Sequence, residues 1–159
     1  MKELYAYRER MMSHWEATPA ALREAVSRIP AADWHRPGGA GESTLHQVLA
    51  HLRDIERDVI FPSITRLLAG ETDLSLPFPA WETWLATYNP DESPQDILET
   101  CLSLHAGEIA RVRSHVPIPW SVEGRHPQYG KRTLQWWVEQ SLAQARAHYK
   151  LLCTGRGAR

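Results

Sequence analysis

Apolar residues recur along this chain with the helical period, and nowhere with the alternation of a strand worth defending. The clearest stretch is STLHQVLAHLRDIERDVIFPSITRLL, residues 43–68. Leu45, Val48, Leu49, Leu52, Ile55 and Val59 follow the i, i+3, i+4, i+7 rule of an amphipathic helix with one wide buried face. Ser43 or Thr44 supplies the N-cap, Pro62 is a candidate kink, and Gly70 is the stop. His51 falls at the margin of the apolar face, with Asp54 and Asp58 further along the same edge. His46, Arg53 and Arg57 are expected to point outward. A histidine at the border of a buried face has either a structural partner or a job.

Three more helices follow from the same periodicity. The first carries Leu4, Met11, Trp15, Leu22, Val26 and Ile29 on one stripe. Thr18-Pro19 is expected to kink or break it, with Thr18 as a fresh N-cap. The third opens on Ser93-Pro94, a good N-cap and N1 pair. Its stripe holds Ile97, Cys101, Leu104 and Val112, flanked by Leu98, Leu102 and Ile109. Glu108 also falls on that stripe, and a carboxylate there calls for a cation across the bundle or a function. The last helix buries Leu134, Trp137, Val138, Ser141, Ala145, His148 and Leu152. The expected helices span about 2–29, 43–69, 93–116 and 132–152.

Between them lie a Gly-rich loop (residues 30–42), a long proline-rich connection (residues 71–92) and a punctuated loop (residues 117–132) with room for a small hairpin. The 71–92 connection far exceeds the typical 4 to 6 residues or so, and a segment of that length crosses the molecule or covers something. Within it, Ala80 to Tyr88 fits a short helix presenting Trp81, Trp84 and Leu85. The whole is an all-α single domain, 1–159, built as a four-helix bundle. If the long connection spans the bundle, the second and third helices run parallel and the order is up-down-down-up. That order brings His51, near the start of helix two, to the same end as His148, near the close of helix four. An up-down-up-down bundle would separate them.

Composition narrows the function classes. The 159 residues carry 18 Lys and Arg against 19 Asp and Glu, a net charge of −1, so there is no electrostatic case for nucleic acid or an acidic membrane surface. No apolar run reaches the roughly 20 residues of a membrane span, and the charged N-terminus lacks a secretory core. The two cysteines form no disulfide framework or paired metal motif, which makes a reduced, cytoplasmic protein the default. Cys101 reads as a small buried residue. Gly38, Gly39 and Gly41 follow no strand, so they are not a phosphate loop, and the GRGAR tail is a frayed end. His14, His35, His105, His115 and His126 show no shared spacing and are expected on surfaces or loops, with His126 the exception to watch. Seven tryptophans serve packing, and some could line a pocket.

Two segments together suggest a family. IPAADWHRPGGAGESTLHQVLAHLRDIE and TLQWWVEQSLAQARAHYKLL resemble the loop, helix two and last helix of the DinB/YfiT-like (damage-inducible) four-helix bundles. The resemblance implies an up-down-down-up fold, a homodimer, and a divalent metal, zinc or nickel, held by one histidine of helix two and a His-x-x-x-His on helix four. Position by position, these ligands are His51, Gln144 and His148. Gln144 departs from the pattern, because a carboxamide oxygen is a weaker donor than an imidazole. Either the three residues hold the metal with reduced affinity, or Gln144 hydrogen-bonds one of the histidines. The implied activity is metal-dependent hydrolysis or thiol S-transfer on a small molecule. The alternative is a non-catalytic small-molecule-binding or stress-response module with a degenerate site.

Overall fold

A computed structural model describes residues 1–38, 42–74 and 76–154. Gly39 and Gly41 of the first loop, and the basic tail, lie outside the described residues. Four long helical columns form the bundle: α1 (Lys2–Ser27); α2 (Leu45–Ile55) running through a π-turn (Glu56–Ile60) into α3 (Phe61–Leu68); α5 (Pro94–Arg113); and α6 (Leu134–Thr154). A short α4 (Trp81–Thr87) sits in the long connection, and the antiparallel strands β1 (Glu123–His126) and β2 (Gly130–Thr133) form a hairpin before α6. Among the described residues, no helix is long and apolar enough to cross a membrane.

The side-chain pairs fix the direction of every column. Tyr7 donates to Glu139 and Arg8 to Gln135, so α1 and α6 start at the same end. Arg23 meets Glu99 and Arg113 meets Glu16, which makes α1 and α5 antiparallel. Arg53 of α2 meets Glu92, two residues before α5, so α2 and α5 begin together. The order is up-down-down-up, as the long connection requires.

Local chemistry sets the boundaries. Thr44 is the N-cap of α2, and with Gln47 it makes a reciprocal capping box. Ser93 caps α5 ahead of Pro94. Pro62 does not break the second column. Its missing N–H and bulky ring disturb the ladder toward residue 58, and the π-turn that ends at Ile60 takes up the mismatch.

The expected break at Thr18-Pro19 is absent, and α1 runs through Pro19 as a single helix of 26 residues. The carbonyl that Pro19 cannot reach belongs to Trp15, and the Thr18 hydroxyl donates to it at 2.6 Å. Thr18 repairs the ladder from inside the helix and is not a new N-cap.

Two apolar clusters fill the bundle. One joins Leu22, Val26, Leu49, Leu52, Ile97, Leu98, Cys101 and Leu152 at the end where α2 and α5 begin. The other joins Met12, Trp15, Ile60, Ile64, Leu134, Trp137 and Val138 at the opposite end. Polar side chains lie at the level between them: Glu56, His105, Glu108 and Ser141, all at most 1% exposed.

The hairpin pins the long connection. Leu74 N–H donates to the Arg125 carbonyl at 2.9 Å, Arg125 N–H to Thr72 at 2.8 Å, and His126 Nε2–H to Leu76 at 2.9 Å. Gln128 bonds both main-chain groups of Phe78. A Cβ on Gly124 would stand 2.9 Å from side-chain carbons of Leu67 and Leu74, so the strand presses on the core as only glycine can. His126 is buried and serves this scaffold.

Replacing Thr18 with Val leaves the Trp15 carbonyl without its donor. The expected cost is about 1 kcal/mol in urea unfolding, with Thr18→Ser restoring most of it. Equal stability of Val and wild type would mean the carbonyl is satisfied some other way.

Candidate metal centre

His51 lies two turns into α2 and His148 near the end of α6, and the antiparallel packing of these helices brings their rings together. His51 Nδ1 stands 3.2 Å from His148 Nε2, with the rings nearly parallel. The other nitrogen of His148, Nδ1, donates to the main-chain carbonyl of Gln144 at 2.7 Å. That bond fixes the tautomer and aims the lone pair of Nε2 at His51. Gln144 therefore reaches the pair through its backbone oxygen, while its half-buried side chain lies one turn before His148.

Both rings are held neutral. Burial, reinforced by the neighbouring His148, lowers the pKa of His51 to about 4, against a smaller opposing effect of Asp54. Burial likewise lowers His148, opposed by the Gln144 carbonyl and by the charge of Glu56. Neutral imidazoles are what a metal requires of histidine.

The long connection roofs this pair. Phe78, Trp81 and Trp84 set their rings edge-on to His51, with centroids 5.4, 5.0 and 4.9 Å away. Trp84 is fixed by its indole N–H, which donates to Asp54 Oδ2 at 2.8 Å. Asp54 is in turn held by Arg53 at 2.6 Å and Arg57 at 3.2 Å. A separate surface cavity of about 560 Å³, lined by Arg23, Trp34, His35 and Pro94 among others, does not include either histidine.

The donor chemistry fits a metal. Two nitrogens bound to one zinc at about 2.0–2.1 Å stand roughly 3 Å apart, close to the spacing seen here. Within the set His51, Gln144, His148 the two histidines face each other, and the Gln144 main-chain carbonyl orients one of them.

Two outward assignments are corrected. His46 is fully buried: its Nε2–H donates to the Glu92 carbonyl at 2.7 Å, and its Nδ1 accepts from the Tyr88 hydroxyl. Arg53 is 9% exposed and pairs with Asp54 and Glu92. Only one apolar face was expected on α2, and the 88–92 segment covers a second. Arg57 does face solvent.

A third correction concerns His105, expected on the surface and found 1% exposed. It joins Glu108 of the same helix and Glu56 of the π-turn in a buried cluster whose donor atoms all lie within 4.8 Å of one another. Burial, then the charge of Glu56, pushes the Glu108 carboxyl well above the usual range. Glu56 was legible: it stands four residues after Leu52 and seven after Leu49, on the buried stripe. His105 stands four after Cys101 and seven after Leu98. Cys101 itself is fully buried, and burial raises its thiol pKa, so it is no nucleophile.

The family model for the DinB superfamily matches residues 14–152. The chain belongs to the DinB superfamily. Among solved structures it is similar to YfiT from Bacillus subtilis, described as a probable metal-dependent hydrolase with an unusual four-helix bundle topology. The match has a TM-score of 0.72 at 22% identity and covers 94% of this chain and 87% of that one. At that identity the likeness establishes the shared fold. No curated protein matches this chain.

The lowered histidine pKa values set a pH dependence for the metal-free DinB protein. The unfolded chain binds more protons than the folded one between its histidine pKa, about 6.5, and the folded value, so stability is full above that window and falls as pH drops through it. Urea midpoints in chelator should therefore decline from pH 7 to pH 4.5, and decline less in His51→Phe. An equal decline in the two proteins would place the titration elsewhere.

Proposed function

We propose that this DinB-superfamily protein is a metal-dependent enzyme acting on a small molecule, with His51 and His148 as nitrogen ligands of a zinc or nickel ion and Gln144 supporting them. The observation that carries the reading is the facing pair of neutral imidazole nitrogens, 3.2 Å apart, beneath an aromatic roof. The family supports it, as does the description of YfiT as a probable metal-dependent hydrolase.

When bound, such an ion supplies Lewis acidity: it lowers the pKa of a water or thiol and polarises an electrophile. The chain's own residues supply the setting. Two histidines leave positions open on the ion. The Gln144 carbonyl keeps His148 in the ligating tautomer. The rings of Phe78, Trp81 and Trp84 limit water around His51. Asp54 is occupied by Trp84, Arg53 and Arg57, so its role is to hold the roof rather than to take a proton. Hydrolysis and thiol transfer to a small electrophile both fit these parts.

The substitution at Gln144 favours a second reading, a binding module in which the pair is a hydrogen bond and the aromatic roof holds a ligand without turnover. Elemental analysis decides between them. Protein purified without chelator is expected to carry zinc or nickel that His148→Ala lacks, and Gln144→His should tighten binding at least about tenfold. No metal in the parent, even after adding zinc or nickel, would leave the binding module standing.

A further inference from the structure

The buried cluster between the two apolar cores is not part of the histidine pair, and packing alone does not explain it. Glu56 and Glu108 are both 0% exposed, and they sit together in the middle of the bundle. Among the described residues, neither is paired with an arginine or lysine; Arg53, the nearest buried cation on α2, is committed to Asp54 and Glu92. Two carboxyl groups packed together in such a place are costly unless a proton or a cation lies between them. Burial and Glu56 push the Glu108 carboxyl up, so that a proton holds that place when no cation does.

Beyond a proton on Glu108 itself, hydrogen-bond donors are few. The Trp15 indole N–H is spent on Ser141 Oγ at 2.9 Å. That leaves the single Ser141 proton to serve Glu56 Oε1 at 3.2 Å or Glu108 Oε2 at 3.1 Å, but not both. Glu108 Oε1 has no hydrogen-bond partner, and neither does either ring nitrogen of His105. His105 Nε2 lies 3.7 Å from Glu56 Oε1, too long for a hydrogen bond. Buried polar atoms are rarely left this way in a folded protein. Three unsatisfied or half-satisfied donors of electron pairs, one imidazole and two carboxylates, converge within 4.8 Å.

The backbone shows a matching irregularity. Glu56 is the first residue of the π-turn, and wide turns of this kind recur at functional sites because the extra residue re-aims side chains. His105 and Glu108 are three apart on α5 and so share a face.

We propose that Glu56, His105 and Glu108, with the Ser141 hydroxyl beside them, form a second divalent-metal site in the core of the bundle, separate from the His51–His148 pair. The oxygen-rich donor set favours manganese(II) or iron(II), hard enough for two carboxylates yet tolerant of one imidazole. Ligand distances of about 2.0–2.2 Å place neighbouring donors roughly 3.0–3.5 Å apart, so binding would draw these side chains closer from spacings that now reach up to 4.8 Å. The ion bridges the second column and α5, with α6 contributing through Ser141. Enclosed on all sides, its role is structural: it takes the place between the carboxyl groups that a proton on Glu108 holds without it.

The test uses the full chain with both outer histidines removed, His51→Ala/His148→Ala, stripped of metal and titrated with manganese(II) chloride. Electron paramagnetic resonance of free manganese is expected to show one equivalent bound, accompanied by a raised melting temperature. Adding Glu108→Gln, close in shape but uncharged, should weaken that binding at least about tenfold. No manganese bound by the double variant, or binding indifferent to Glu108→Gln, would overturn the site. Should these variants fail to fold, anomalous diffraction from manganese-soaked wild-type crystals answers the same question. A peak among Glu56, His105 and Glu108 supports the proposal. A peak only at the outer histidines, or none, refutes it. Because the solution test lacks the outer pair, it can succeed or fail whatever that pair binds.

Discussion

The structure depends on how one polar layer is tolerated inside an apolar bundle. Glu56 and Glu108 occupy positions that the helical period reserves for leucines, and they divide the core into two clusters. The layer draws on all four columns: Glu56 from the second, His105 and Glu108 from α5, Ser141 from α6 and the Trp15 indole from α1. An apolar core can slide by a turn at modest cost. A polar layer cannot, because a slip strands charged groups among hydrocarbon. The layer therefore sets the register of α2 against α6, and the register decides whether His51 and His148 meet.

The crossover connection carries the second constraint. Parallel packing of the second and third columns obliges the chain to return along the length of the bundle, and the hairpin gives that return path hydrogen-bond partners at Thr72, Leu74, Leu76 and Phe78. Its far end delivers Trp81 and Trp84 to His51. The segment that makes the topology possible thus also builds the roof of the candidate centre, so substitutions in the hairpin would reach the centre without touching it.

Much of this was legible in the sequence. Four columns, the short helix around Trp84, the Ser93 cap and the meeting of His51 with His148 follow from periodicity, turn chemistry and loop length. What escaped notice has physical reasons. The Thr18 hydroxyl repairs the Pro19 gap by a bond to a residue three positions back, which propensity rules do not count. His46 and Arg53 looked exposed because a single amphipathic face was assumed, and the residues that cover the other face are distant in sequence. His105 and Glu56 stand at buried spacings, but a polar residue at a core position carries no signal of its own until its partner on another helix is known. Glu108 drew attention because it was the member of that layer most out of character, but the arginine or histidine expected across the bundle proved to be a second carboxylate and a histidine on its own helix.

Gln144 gains a different meaning in this setting. A histidine there would add a nitrogen beside the pair, whereas the main-chain oxygen that orients His148 is supplied by residue 144 whatever its side chain. The negative charge of Glu56 also acts on His148, opposing the effect of burial on that ring. The outer pair and the inner layer are therefore coupled electrostatically through Glu56, one residue beyond the end of α2. A cation held by the inner carboxylates would diminish that charge and make His148 easier to keep neutral, favouring its role as a ligand. In that arrangement the buried layer supplies part of the tuning that a third imidazole would give.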